Sequence, residues 1–364
     1  MLRFKQVLII LLVLQPILIY SQKSISESEK NIVIENIKVL IDSNYVFNDK
    51  VKSINNSLDS LNLTGKYNDI RDYKKFEKVL TDDLVEVTKD LHFKVRYHPE
   101  YVKNSREQLN RQAARENEKK TKKEVRIDWD LWYAKKENFG FEKVEILGGN
   151  IGYIKYNFWY PLEWTKSTLD ATMKFIANTD ALIIDLTENG GGYSPTDSYL
   201  GSYFFDKESI LWSSSYTRPT EETESEYTFK EVGGERYLNK LIFILVSEET
   251  FSLGEKFAYC MKHFNKATIV GQTSAGAAHG IDYIEVNDNF MIQLPISHNI
   301  HPITQTDWEG TGVIPNIVTS SNTESIKTTH LNALNKQIEI LKKQTIVGPI
   351  LKRYEKIKME INNR

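Results

Sequence analysis

The sequence predicts an α/β protein: a largely parallel sheet covered by helices, preceded by a small helical domain and followed by a helical tail. Residues 26–95 carry apolar side chains at helical spacing, as do residues 323–364. Between them, from about residue 143, near-continuous apolar runs alternate with helical stretches. A strand buried on both faces reads as an unbroken apolar run, whereas a helix buried on one face repeats every three or four residues.

The N-terminus comes first. Arg3 and Lys5 precede an apolar run from Val7 to Tyr20 that Gln15 and Pro16 interrupt, and Ser21 and Gln22 follow it. A basic start, a short apolar core and a small residue describe a signal for export, with cleavage expected near Ser21 or Gln22. A membrane-spanning helix needs roughly 20 apolar residues, so no permanent membrane span is expected. The expected location is periplasmic or extracellular. No cysteine follows the run to carry a lipid.

In residues 26–95, Ile32, Ile34, Ile37, Leu40 and Ile41 predict one helix, and a second is expected over Tyr73–Leu91. Residues 96–142 form a charged connection. Lys103–Arg126 holds nine Lys or Arg against four Glu, a solvated stretch rather than a polyanion site. Trp129, Trp132 and Tyr133 are expected to dock its end onto the body. In residues 143–322 the expected strands are Val144–Leu147, Ile151–Tyr156, Ala181–Leu186, Leu241–Val246, Ala267–Val270 and Met291–Leu294. Helices are expected over 162–177 and 252–264. Leu331, Leu334, Ile338 and Leu341 mark the helical tail.

A net charge of −2 excludes a broad nucleic-acid surface. Cys260 is the single cysteine, so no intramolecular disulfide forms, and its setting among Phe257, Met261 and Phe264 marks a core residue.

Three segments carry chemistry. Gly190-Gly191-Gly192 closes a buried strand, where glycine lets backbone amides turn toward a ligand or a developing oxyanion; a plain tight turn also accounts for it. Ser252 stands between a strand and a helix. Ser252-x-x-Glu255 is a capping box, yet a serine there also faces the positive end of the helix dipole. Asp307 to Asn316 is a loop holding Glu309 beside Trp308.

Together these segments resemble the tail-specific (C-terminal processing) serine peptidase family, in the branch of the tricorn core protease and the interphotoreceptor retinoid-binding protein. The matching stretches are Asp185-Leu186-Thr187-Glu188-Asn189-Gly190-Gly191-Gly192, Thr250-Phe251-Ser252-Leu253-Gly254-Glu255, Gly271-Gln272-Thr273-Ser274-Ala275-Gly276 and Glu309-Gly310-x-Gly312-Val313-x-Pro315-Asn316. Asp90-Leu91-His92 resembles the motif that ends the family's N-terminal domain. The resemblance implies a crotonase-like core and a serine peptidase acting on unfolded peptides without metal or organic cofactor. It implies Ser252 as nucleophile, His92 as base, Glu309 orienting the imidazole, and the amides of Leu253 and Gly191 holding the oxyanion.

This sequence departs from the family pattern at several points. Thr187 replaces an arginine and Asn316 an aspartate. Ala277 stands where the Ser–Lys branch has its lysine, and Leu91 where the tricorn-type relay has a serine. The interval from Arg96 to Phe141 is too short and too charged for a PDZ domain. His279 is an alternative base. Lys256, one turn past Ser252, reads as an exposed salt-bridging residue. Phe158-Trp159-Tyr160 and Trp164 line either a cleft or the core. A non-catalytic binder of an apolar ligand or peptide on the same fold is the alternative function.

Overall fold

The computed structural model describes residues 24–107, 129–344 and 348–363. The expected export signal over residues 1–22 and most of the charged stretch therefore lie outside the described residues. Among those described, no helix is long and apolar enough to cross a membrane.

Three helices open the chain: Glu27–Asn44, Asn48–Leu63 and Tyr73–Thr88. The first buries Val33, Ile34, Ile37 and Ile41, and leaves Ile32 exposed on the far side. The middle helix was not expected from the sequence; it buries only Val51, Ile54 and Leu58 at sparse helical spacing. Lys89 ends the third helix in the left-handed conformation, and β1 (Lys94–Tyr97) follows.

Ten further strands are described: β2 (Phe141–Leu147), β3 (Ile151–Tyr156), β4 (Ala181–Asp185), β5 (Leu211–Thr217), β6 (Glu222–Tyr227), β7 (Leu241–Val246), β8 (Thr268–Gly271), β9 (Gly280–Glu285), β10 (Phe290–Ile300) and β11 (Ile317–Val318). Six form the central sheet in the order β11-β8-β7-β4-β3-β2, parallel except for β2. Side chains alternate across it. Leu182 and Ile184 face a core shared with the helices Leu162–Ile176 and Leu253–His263. Ala181 and Ile183 face the opposite core, which Ala333, Leu334 and Ile338 of the C-terminal helix Asn322–Lys342 close. The architecture is an α/β sandwich with a helical N-terminal region and C-terminal helices, in agreement with the expected class.

The second sheet is antiparallel, in the order β1-β10-β5-β6 with β9 on the other side of β10. β5 and β6 escaped the sequence reading because their residues, such as Ser213–Ser215 and Glu222–Glu226, are polar and only partly covered. This sheet sets the site geometry. Phe290, Ile292 and Leu294 of β10 share one core with Ile34, Ile37, Phe76 and Leu80 of the opening helices. Lys94–Tyr97 pairs with β10 in register. The short segment between Lys89 and β1, which holds Asp90 and His92, is thereby pressed onto the core.

One smaller expectation fails and one open alternative is resolved. Trp129, Trp132 and Tyr133 lie on the helix Trp129–Lys136 and stay exposed, packing edge-on to one another rather than docking. Trp159 belongs to the core, fully buried against Tyr156 and Phe257. Cys260 is buried as expected.

Candidate active site

Ser252 follows β7 and begins the helix Leu253–His263. Its backbone sits at φ 51°, ψ −116°, a region that residues with a side chain avoid. Such strain persists only where the surroundings over-determine it. Here one carboxylate does much of that work. Glu255 is wholly buried, and its Oε2 accepts from the Ser252 amide at 2.9 Å and from the Ala277 amide at 2.9 Å. Its Oε1 accepts from Ser274 Oγ and the Gly276 amide, both at 2.6 Å. The glutamate of the capping pattern thus ties the serine turn to the loop that leads into β9. Burial pushes its carboxyl upward, while these donors oppose the shift.

Asn189 clamps the turn from the other side. Its carbonyl accepts from the Phe251 amide at 2.9 Å, and its Nδ2 donates to the Tyr156 carbonyl at 2.7 Å. A Cβ on Gly254 would meet Asn189 Oδ1 at 2.6 Å, so this helix position requires glycine. Gly191, at φ 93°, lies so close that a Cβ there would meet Ser252 Cβ at 2.8 Å. The Gly191 amide donates to Asn189 Oδ1 at 3.0 Å and is therefore engaged. The amide expected to hold the oxyanion thus has an acceptor within the protein. The amides of Gly192 and of Leu253, the latter at the helix N-terminus, donate to no acceptor among the described residues.

Ser252 opens onto a cavity of about 450 Å³ lined by Gly192, Leu253, Lys256, His279 and Trp308, with Ser213, Ser215, Ser225 and Asn299 on its far wall. His279 enters from the residue just before β9. Its Nδ1 is 2.5 Å from Asp90 Oδ2, a contact between residues 189 apart in sequence, and its Nε2 is buried without a partner. Glu309 flanks it: Oε2 accepts from the Ala278 amide at 2.6 Å and lies 3.6 Å from His279 Nδ1. Burial alone would raise the Asp90 carboxyl, but the imidazoles of His279 and His92 hold it well below the usual carboxylate range. Burial would lower His279, yet its bond to Asp90 wins and raises it. Burial, then the Asp90 charge, pushes Glu309 up to about 7.

Residues 150–319 match peptidase family S41. Residues 24–129 match the N-terminal domain of S41 peptidases in eukaryotic interphotoreceptor retinoid-binding protein. The chain carries a peptidase family S41 domain. Among solved structures, a candidate peptidase from Parabacteroides merdae shares 16% identity and superposes with a TM-score of 0.53, covering 82% of this chain and 92% of its own. That likeness speaks for the fold. A lipoprotein from Streptococcus agalactiae (13% identity, TM-score 0.49, covering 85% and 96%) is more distant, as is the photosystem II D1 C-terminal processing protease (13%, 0.47, 83% and 97%). The S41 domain match supports a peptidase function in the general sense.

The expected site residues separate into two groups. Ser252, Leu253 and the glycine triplet meet as a unit. His92, the expected base, does not line the cavity; its ring packs on Phe251, with Nδ1 3.4 Å from Asp90 Oδ1. The alternative base, His279, does line it, and Glu309 stands beside His279 rather than orienting His92. Lys256 is not exposed: it is 4% accessible and bonded to Asp197 and Glu226, whose charges hold it protonated against burial. In the sequence Asp90 is legible only as part of a motif, and no local signal tells which histidine it serves. Thr187 does the work of a motif residue by donating its amide and hydroxyl to Asp185 Oδ1 at 3.0 and 2.7 Å.

Proposed function

We propose that the protein is an exported serine-type peptidase that cleaves unfolded peptides through an acyl-enzyme on Ser252. The observation that carries this reading is the strained Ser252 backbone, held with Gly191 against its Cβ, in a cavity that His279 also lines while its buried Nε2 has no partner among the described residues. In this reading His279, rather than His92, is the base. Asp90 accepts from Nδ1–H, which leaves Nε2 as a proton acceptor and stabilises the imidazolium that forms. Ser252 Oγ attacks the scissile carbonyl carbon as its proton passes to Nε2. The carbonyl oxygen becomes an oxyanion facing the Leu253 and Gly192 amides. The C–N bond then breaks, Nε2 returns the proton to the leaving amine, and water releases the acyl group by the reverse sequence.

The serine-rich, hydroxyl-lined cavity wall supports a peptide over an apolar ligand, since a pocket for the latter is lined mostly by hydrocarbon. Export is part of the proposal and rests on the basic start and short apolar run of residues 1–22. The test is hydrolysis of an unfolded protein by the mature chain and by Ser252→Ala. The expected result is complete loss in the variant with a nearly unchanged Tm, because alanine keeps the Cβ, the backbone conformation and the amide that donates to Glu255. Full turnover by pure Ser252→Ala would overturn the reading.

A further inference from the structure

The relay described above needs one imidazole and one carboxylate, yet two of each converge. Asp90, His92, His279 and Glu309 each offer one ligand atom to a group whose atoms all lie within 4.8 Å of one another. The side chains of His92 and His279 are 3% and 1% exposed. Neither ring nitrogen of His92 has a hydrogen-bond partner among the described residues, nor has Glu309 Oε1. Buried polar atoms are normally paired with protein, water or an ion, and here three unpaired ones lie on residues that converge on one point. His92 is thus an imidazole that lies 3.4 Å from the Asp90 carboxylate without a well-formed hydrogen bond to it. The acid–base relay at Ser252 uses it only as a neighbour of Asp90.

We propose that these four residues form a zinc site that shuts off the peptidase; this rests on the reading of His279 as base. Two imidazoles and two carboxylates form a donor set that Zn²⁺ accepts, with charges that balance the cation. Tetrahedral zinc with bonds of about 2.0–2.2 Å sets its ligand atoms about 3.4 Å apart. His92 Nδ1 and Asp90 Oδ1 are 3.4 Å apart, and His279 Nδ1 and Glu309 Oε2 are 3.6 Å apart. The third spacing, 2.5 Å from His279 Nδ1 to Asp90 Oδ2, is a hydrogen bond that the metal replaces. The consequence for catalysis follows from the tautomer. Zinc on Nδ1 of a neutral imidazole moves the ring proton to Nε2, which can then no longer accept the proton of Ser252. Because Asp90 and His92 come from the N-terminal region and the other two from the S41 domain, bound zinc also pins the two together.

The experiment titrates the mature chain and Ser252→Ala with Zn²⁺, and with Co²⁺ as a spectroscopic stand-in, after removing adventitious metal with a chelator. We expect one equivalent bound by both proteins, a tetrahedral Co²⁺ absorption band, and wild-type activity lost in proportion to occupancy and restored by chelator. His92→Ala should weaken zinc binding at least tenfold, read by calorimetry. Binding by Ser252→Ala is scored without reference to activity, so failure of the serine reading and failure of the zinc site are distinguishable. Absence of stoichiometric binding, unaltered affinity in His92→Ala, or full zinc occupancy with undiminished peptidase activity would each overturn the proposal.

Discussion

The two halves of the site are built in different ways. The nucleophile half, from Asn189 to Gly192 and from Thr250 to Glu255, lies wholly within the S41 domain, and the buried polar groups that hold it are bonded: four donors meet Glu255 and the Gly191 amide meets Asn189. The base half is assembled across two regions from Asp90 and His92 on one side and His279 and Glu309 on the other, and it keeps unpartnered ring and carboxylate atoms. A rigid half that fixes strain and a less satisfied half that handles protons is a division that catalysis favours. Preorganised donors act best when they need not move, while a base needs a lone pair left free.

This comparison is broken most severely at Glu255. Glu255→Ala leaves four buried donors without an acceptor, each worth about 1–3 kcal/mol. We expect a loss of several kcal/mol in urea unfolding together with all activity, whereas Glu255→Gln should retain the fold and lose part of the rate. Next comes Gly191→Ala. A side chain at φ 93° and a 2.8 Å approach to Ser252 Cβ should lower kcat by about 10²-fold, the size of a lost oxyanion contact, with a stability loss of about 1–2 kcal/mol. On the base side, Asp90→Asn should cut kcat by at least about 10²-fold through the wrong imidazole tautomer while KM changes little.

The smallest effect sharpens the contrast with a histidine outside both halves. Burial, aided by the His263 charge, lowers His301 to about 4. The folded state then binds fewer protons than the unfolded state between about pH 6.5 and 4, so stability is present above that window and falls as pH falls through it. His301→Gln should flatten the Tm profile across this window, by an amount on the order of 2 kcal/mol at most. Parallel profiles for both proteins would exclude the assignment.

What the sequence made legible follows the same division. Ser252 and the glycine triplet were readable because strand, turn and helix start are local, and β3, β4 and β7 because both their faces are apolar. The choice between His92 and His279 was not, since Asp90 selects by a contact spanning 189 residues. Lys256 misled for a similar reason: Asp197 and Glu226, distant in sequence, bury it in an ion-paired cluster. Gly191 was one residue away from the free amide because nothing local shows that Asn189 folds back onto it. Asn316 Oδ1 accepts from the Ile269 amide at 2.8 Å near the start of β8, a role an aspartate would also fill, so the departure at 316 has no structural explanation.

The central claim, that His279 activates Ser252, is tested most directly by the rate at which a serine-directed fluorophosphonate labels Ser252 in His279→Ala and in His92→Ala, each first shown to be folded by its thermal transition. Labelling needs the activated serine but no peptide recognition, so it isolates the base. General-base assistance is worth about 10²–10⁴-fold. We predict that His279→Ala slows labelling by about 10³-fold and His92→Ala by less than about tenfold, through looser positioning of Asp90 alone. A large loss in His92→Ala beside near-normal labelling of His279→Ala would contradict the account and return the base to the N-terminal motif.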